Sequence, residues 1–544
     1  MVFKTIARKN WLDSLIVYHI YPLSFMDSDG DGYGDLNGII EKLDYLSGHK
    51  KSLNVDAVWL SAIQTSPMKD FGYDVTDYYS IDPIFGDLTT FKKLIEECHS
   101  RKLKFILDFV PNHTSNLHSW FKQSQLSKNN PKRNWYVWKD PSNNGGPPNN
   151  WVSDFGGSAW TYDKKTGQYY LHSFLPEQPD LNWRNKEVVK EMEKVLHFWL
   201  KIGVDGFRID SVNYLKKDPL FRNDPINKKY DPQQNDPYDR FIHKNSEGNS
   251  DLLKTINRFC KILKKYKNKF MISEVYLDIN SMKKLYNACP EKIHIPLNPN
   301  LINIPWKAHL YKDFIDEFEK SLTKNDIPNY SLGNHDWSRL SSRIGSQNIR
   351  VAAMMLLTLR GIAFIYQGEE IGMVDGIVPA DRVKDPLGNE TDTNREGRDR
   401  ARTPMHWKNK KNAGFSRNEE TWLPISSSYK KINIKDQEKD PRSVLNLYKT
   451  LIKYKKNLVA LKEGSYESID SKDRELFIYA RKKKDKEVII ALNFSNKEKN
   501  INIRNSEAKI LCSTYMDKKD LLTDLKNVPL RQNEGCIFKV IRNN

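Results

Sequence analysis

Eight short apolar, mostly β-branched runs, separated by amphipathic stretches, restrict the fold more than any other feature. They are Leu15–Tyr21, Val55–Ser61, Leu103–Val110, Val204–Asp210, Lys269–Tyr276, Ile293–Asn298, Ile327–Gly333 and Ile362–Glu370. Their length and near-continuous hydrophobicity fit strands buried on both faces. Helical spacing appears between them. Val188, Met192, Leu196 and Trp199 share one face of Asn185–Ile202, and Phe91, Leu94, Ile95 and Cys98 share one face of Phe91–Arg101. Strands alternating with helices in this way predict a (β/α)8 TIM barrel.

Two regions break the rhythm. Residues 112–182, rich in Asn, Pro, Gly and Trp, read as an irregular subdomain inserted after the third strand. After the helix predicted over Ser443–Leu461, the pattern turns to short alternating strands: Glu475–Arg481, Glu487–Phe494, Ile501–Ile503 and Cys536–Ile541. That pattern predicts a C-terminal all-β sandwich domain. The expected division is therefore barrel 1–111, insert 112–182, barrel 183–462 and β-domain 463–544, with Asp375–Asn412 as a long charged loop.

A hydrophobic fraction of 38% over 544 residues supports a packed core and excludes a disordered chain. The formal charge of +18 comes from lysines scattered along the sequence, without an RNA-binding or helix-turn-helix signature. It reads as a solvated basic surface, not a nucleic-acid interface. The five cysteines (98, 260, 289, 512, 536) are odd in number and widely spaced. That argues against a disulfide framework or zinc site and for a reducing compartment. The N-terminal MVFKTIARKNWLDS has no apolar stretch of signal-peptide length, and no run approaches the ~20 apolar residues of a membrane helix. A soluble, cytoplasmic protein is expected.

The chemistry of a barrel sits where its strands end. The third run ends in Asp108–His113, the fourth in Gly206–Asp210, the fifth carries Glu274, and Asn334-His335-Asp336 follows the seventh. Gly72-Tyr73-Asp74 follows the second. Gathering that many charges costs stability unless they do chemical work.

These segments, with Gln178–Asn182, resemble the signature regions of the α-amylase superfamily of retaining glycoside hydrolases. Val17–Phe25, Phe155–Trp160, Gly397–Asp399 and Ala401–Trp407 narrow the resemblance to the α-glucosidase and oligo-1,6-glucosidase branch. It extends from about Trp11 to the C-terminus. The resemblance implies an exo-acting hydrolase of short α-glucosides, with Asp210 as nucleophile, Glu274 as acid/base and Asp336 binding the distorted sugar. Arg208 keeps Asp210 ionised, and His113 and His335 donate to the same sugar. Asp74 and Arg398 are expected to pair at the closed end. Tyr73, Phe155 and Phe174 form walls, and Gln178 reaches beyond the scissile bond. Ser211, directly after the nucleophile, tilts preference toward α-1,4 bonds.

The same resemblance implies one structural Ca2+ held by Asp27, Asp29, Asp31, Asp35 and the Tyr33 carbonyl. The spacing suits a hard cation, but Gly38 stands where an EF-hand needs its bidentate glutamate. Transglycosylases, sucrose isomerases and trehalose-acting enzymes share the machinery. A catalytically dead transporter heavy chain predicts a membrane helix and lost carboxylates, and the sequence has neither.

Overall fold

The computed structural model describes residues 12–248, 250–387, 395–503 and 507–541. The ends of the expected 1–111 and 463–544 segments, Trp11 and part of the Asp375–Asn412 loop lie outside the described residues. Eight parallel strands form the centre: β1 (Ile16–Ile20), β2 (Ala57–Leu60), β3 (Lys104–Phe109), β4 (Gly206–Ile209), β5 (Phe270–Glu274), β6 (His294–Leu297), β7 (Asn329–Ser331) and β8 (Ile362–Tyr366). The hydrogen-bonded order is β6-β5-β4-β3-β2-β1-β8-β7. Asn329 closes the remaining seam: its Nδ2 donates to Pro296 O at 2.7 Å and its Oδ1 accepts from Asn298 N at 2.8 Å. The result is the TIM barrel that the alternation predicted.

Period-2 alternation sorts these strands. Val17, Trp59, Ile106, Ile272, Ile295 and Phe364 pack together as one buried cluster. Their neighbours Ile16, Tyr18, Val58, Leu60 and Leu107 join the larger core shared with the helices. Two residues on from Ile106, Gly206 and Ile272, the inward parity falls on Asp108, Arg208 and Glu274. The barrel is thus filled by apolar side chains below and capped by ionisable ones above.

The outer helices are α1 (Leu36–Leu46), α2 (Leu88–Ser100), α3 (Lys186–Ile202), α4 (Leu252–Leu263), α5 (Ile279–Asn287), α6 (Ala308–Ser321), α7 (Ile349–Thr358) and α8 (Val444–Asn457). Asp35, Asp87, Asn185, Asp278 and Ser443 cap α1, α2, α3, α5 and α8 through their side chains. Among the described residues no helix is long and apolar enough to cross a membrane.

The segment between β3 and α3 carries a short helix (Ser119–Ser124) and a three-stranded antiparallel sheet. Isolated bridges His113–Asp180 and Tyr136–Leu181 pin its end back against its beginning. The C-terminal sheet contains β9 (Ser465–Ile469), β10 (Leu476–Lys483), β11 (Lys486–Asn493), β12 (Glu507–Ser513), β13 (Leu521–Asp524) and β14 (Gly535–Val540). Its order is β9-β10-β11-β14-β12-β13, with the pair Lys499–Ile501 and Val528–Leu530 separate from it. Both share one buried cluster, in which Ile501, Val528 and Leu530 meet Ile489 and Phe538.

The cysteine reading needs correction. Cys260 near the end of α4 and Cys289 just after α5 form a disulfide. Cys98, Cys512 and Cys536 are free and buried. The pair is separated by 29 residues in sequence, so only the packing of α4 beside α5 brings it together. With Cys260 and Cys289 bonded, the cysteines no longer point to a reducing compartment.

Candidate active site

A cavity of about 580 Å³ opens over the C-terminal ends of the strands. Of the residues expected there, Tyr73, His113, Phe155, Phe174, Asp210, Ser211, Glu274, His335, Asp336 and Arg398 line it.

Arg208 organises the floor. Its Nη1 lies 2.8 Å from Asp210 Oδ1 and 3.1 Å from Asp108 Oδ2, and its Nη2 lies 2.5 Å from Glu274 Oε1. Its side chain is 1% exposed, so one buried guanidinium holds three carboxylates from β3, β5 and the end of β4. Its planar fork makes this possible where an ammonium would not. Asp108 is further tied by Trp59 Nε1 at 2.7 Å and the Tyr73 hydroxyl at 2.6 Å.

Electrostatics separate the carboxyls. Burial pushes Glu274 up to about 7 against the pull of Arg208, with Asp210 and Asp336 adding to the rise. Burial pushes Asp210 up to about 6, again opposed by Arg208. Burial also raises Asp336, but Arg402, Arg398 and Arg208 override it and hold this group below the usual carboxylate range. Arg402 Nη2 reaches Asp336 Oδ1 at 3.0 Å. The site therefore offers one persistent anion, one carboxylate and one proton-retaining acid within the same charge network.

Ser211 adopts a left-handed conformation (φ 47°) and its backbone N–H donates to Glu274 Oε2 at 3.3 Å. The His335 ring stacks with those of Tyr21 and Tyr73, each 5.5 Å away, and its Nε2 meets the Tyr73 hydroxyl at 3.0 Å. Burial and three nearby arginines hold its pKa well down, so it is neutral. Its Nδ1 is buried without a protein partner. Phe155 packs with Phe174, Leu175 and Leu387, and its ring lies 5.1 Å from the Arg398 guanidinium.

Two expectations change. Asp74 does not pair with Arg398. It is fully buried and accepts from Ser66 Oγ at 2.7 Å and from the backbone N–H groups of Lys69 and Asp70 at 3.0 Å each. It ties its own loop together, and burial pushes it up to about 6. Asp70 takes the expected place, with Oδ1 2.7 Å from Arg398 Nη2. Asp385 grips the same guanidinium, at 2.7 Å to Nη2 and 3.0 Å to Nε. Gln178 does not reach beyond the scissile bond either. It is fully buried behind the wall, with Nε2 donating to Asp70 Oδ2 at 3.0 Å.

Asp70, Asp385, Arg402, Tyr214, Tyr276, Trp337 and Arg395 are site residues that the sequence reading missed. Tyr276 and Trp337 follow Glu274 and Asp336 closely, so their position was a usable signal. Asp385 sits in an aperiodic charged loop and had none.

Away from the cavity, Asp27, Asp29 and Asp35 each present a carboxylate oxygen within 4.8 Å of the others. Asp31 and Tyr33 stand in the same loop but outside this trio; Asp31 Oδ1 accepts from Tyr33 N at 2.8 Å.

Residues 19–464 match the family model for the alpha amylase catalytic domain, so the chain belongs to the alpha-amylase family. It is 40% identical to the salivary alpha-glucosidase of Aedes aegypti over 506 residues, covering 89% of this chain and 86% of that one. It is 36% identical to the oligo-1,6-glucosidase of Parageobacillus thermoglucosidasius over 583 residues, covering 97% and 99%. Among solved structures, the alpha-glucosyl transfer enzyme XgtA superposes with a TM-score of 0.91 at 33% identity, covering 98% of this chain and all of that one.

Proposed function

We propose that this chain is an exo-acting, retaining α-glucosidase that releases glucose from the non-reducing end of short α-glucosides, α-1,4 bonds favoured. The observation that carries the reading is Arg208 bonded at once to Asp210 and Glu274, at the floor of a pocket whose wall holds the Asp70–Arg398–Asp385 cluster. Retaining glycosidases need two carboxyls about 5–5.5 Å apart, and residues sharing one guanidinium suit that spacing.

Asp210 attacks the anomeric carbon while the glycosidic oxygen leaves with the Glu274 proton. Water then gives a proton to the Glu274 carboxylate and attacks the same carbon, releasing Asp210 and α-glucose. Asp336 offsets the positive charge that develops on the sugar. The end lined by Asp70 and Arg398 is the proposed sealed end, which supports release of one terminal glucose at a time. The small Ser211 side chain supports α-1,4 bonds. A product time course on maltose, isomaltose, sucrose and trehalose tests both points. Glucose from maltose is expected first, and faster cleavage of isomaltose overturns the linkage preference.

Transfer to a sugar acceptor is a second reading, favoured by the likeness to XgtA. It predicts new oligosaccharides in the same time course, with fewer than two glucose released per maltose consumed.

We further propose one structural Ca2+ at Asp27, Asp29 and Asp35, with Asp31 and the Tyr33 carbonyl within the same loop. An all-oxygen, mainly carboxylate donor set suits a hard cation. The ion would brace the turn that Asp27 already ties to Ser416 Oγ at 2.5 Å, and it takes no part in catalysis. Thermal unfolding indifferent to chelator and to added Ca2+ would remove it. The partners are sugars; no salt-dependent gel shift with nucleic acid is expected despite the basic charge.

A further inference from the structure

A buried ion pair behind the sugar pocket has no part in the chemistry above. Lys217, on the segment after β4, is 6% exposed, and its Nζ lies 2.5 Å from Asp180 Oδ2, which is fully buried. The same ammonium donates to Asn112 Oδ1 at 2.9 Å. Asn112 Nδ2 in turn faces Asp180 Oδ1 at 3.0 Å and His113 Nδ1 at 3.2 Å.

These groups leave little choice of proton placement. An ammonium only donates and a carboxylate only accepts. The Asn112 oxygen must therefore face Lys217, and its NH2 must face Asp180. That NH2 also meets His113 Nδ1, which must then carry a lone pair. Burial lowers the pKa of His113 and keeps it neutral, so its one proton resides on Nε2. His113 Nε2 points to the Tyr73 carbonyl at 3.1 Å. The Gln178 Nε2 that donates to Asp70 also lies 3.2 Å from it, so the carbonyl decides that this nitrogen carries the proton. The ring forms part of the cavity lining.

We propose that the Lys217–Asp180 pair is a positioning device that fixes the tautomer of His113, through Asn112, so that Nε2–H holds the Tyr73 carbonyl and with it the Tyr73 wall of the pocket. The pair also fastens the end of the inserted segment, since Ser173 N, next to Phe174, donates to Asp180 Oδ1 at 3.0 Å. The kinetic part of the proposal rests on the glucosidase reading; the tautomer does not.

Removing Lys217 alone would strand a buried carboxylate, which is strongly destabilising. The test is therefore the charge-neutral double variant Lys217→Met/Asp180→Asn. Active sites are counted by covalent titration with a cyclitol epoxide. Per titrated site, kcat/KM on p-nitrophenyl α-glucoside is expected to fall roughly tenfold to a hundredfold, as for loss of one well-placed hydrogen bond. In a His113→Ala background the same two substitutions should change it less than twofold. The imidazole 15N signal of His113, assigned by its loss in His113→Ala, should report Nε2–H in the parent and a mixture in the double variant. An equal loss in the His113→Ala background, or an Nδ1–H parent, overturns the proposal. A parent that cleaves no α-glucoside overturns the glucosidase reading and leaves the 15N result to decide the tautomer.

Discussion

Replacing Asp70 with alanine tests the sealed end of the pocket directly. Asp70 is 5% exposed and holds two donors: Arg398 Nη2 at 2.7 Å and Gln178 Nε2 at 3.0 Å. Arg398 stays anchored without it, because Asp385 keeps contacts at 2.7 Å to Nη2 and 3.0 Å to Nε. The loss therefore falls on Gln178 and, on the glucosidase reading, on a sugar hydroxyl bound where Asp70 lines the pocket. Hydrogen bonds to a charged group contribute about 1.5–3 kcal/mol. A cost of about 2.7 kcal/mol corresponds to roughly a hundredfold in kcat/KM. Initial rates on maltose, normalised to titrated sites, measure it. Asp74→Ala is the comparison. It removes three hydrogen bonds within the loop, so it should lower the melting temperature and reduce kcat/KM per site less than tenfold. If Asp70→Ala stays within threefold of the parent, or Asp74→Ala is the more damaged per site, the assignment of the sealed end is wrong.

Two further outcomes follow from the charge arrangement. Activity needs Asp210 ionised and Glu274 protonated, so kcat/KM should fall below about pH 6 and above about pH 7, values that belong to the pair acting together. Glu274→Gln should abolish the alkaline limb and nearly abolish maltose turnover, while azide partly restores turnover of an activated aryl glucoside; unimpaired maltose hydrolysis would exclude Glu274 as the acid. At the other end of the barrel, burial raises Asp205, but His99, Lys269, the Phe105 N–H and Lys104 reverse this and hold it at about 2. A depressed folded pKa means stability present above the unfolded value of about 3.9 and lost as pH falls toward 2, worth about 2 kcal/mol. Asp205→Asn should lose that increment at neutral pH and show a shallower acid dependence; an unchanged urea midpoint at pH 7 would contradict it.

The sequence by itself determined the barrel and most of its chemistry, because both are written in local periodicity. Alternation places Asp108, Arg208 and Glu274 on the inward face, one step above Ile106, Gly206 and Ile272, and helical stripes place the outer layer. Edges and loops were less legible. β9 reads Ser-Tyr-Glu-Ser-Ile and is half exposed along its length, so it carries no hydrophobic signal. Asp70 and Asp74 lie four residues apart in one loop, and spacing cannot tell which faces the pocket. The turn decides it, by spending Asp74 on three donors of its own loop. The Cys260–Cys289 bond, the Asp385 grip on Arg398 and the Lys217–Asp180 pair join residues from separate elements. No local pattern encodes such meetings. They exist only once the helices pack, the long loops fold over the barrel mouth and buried charges have to find partners.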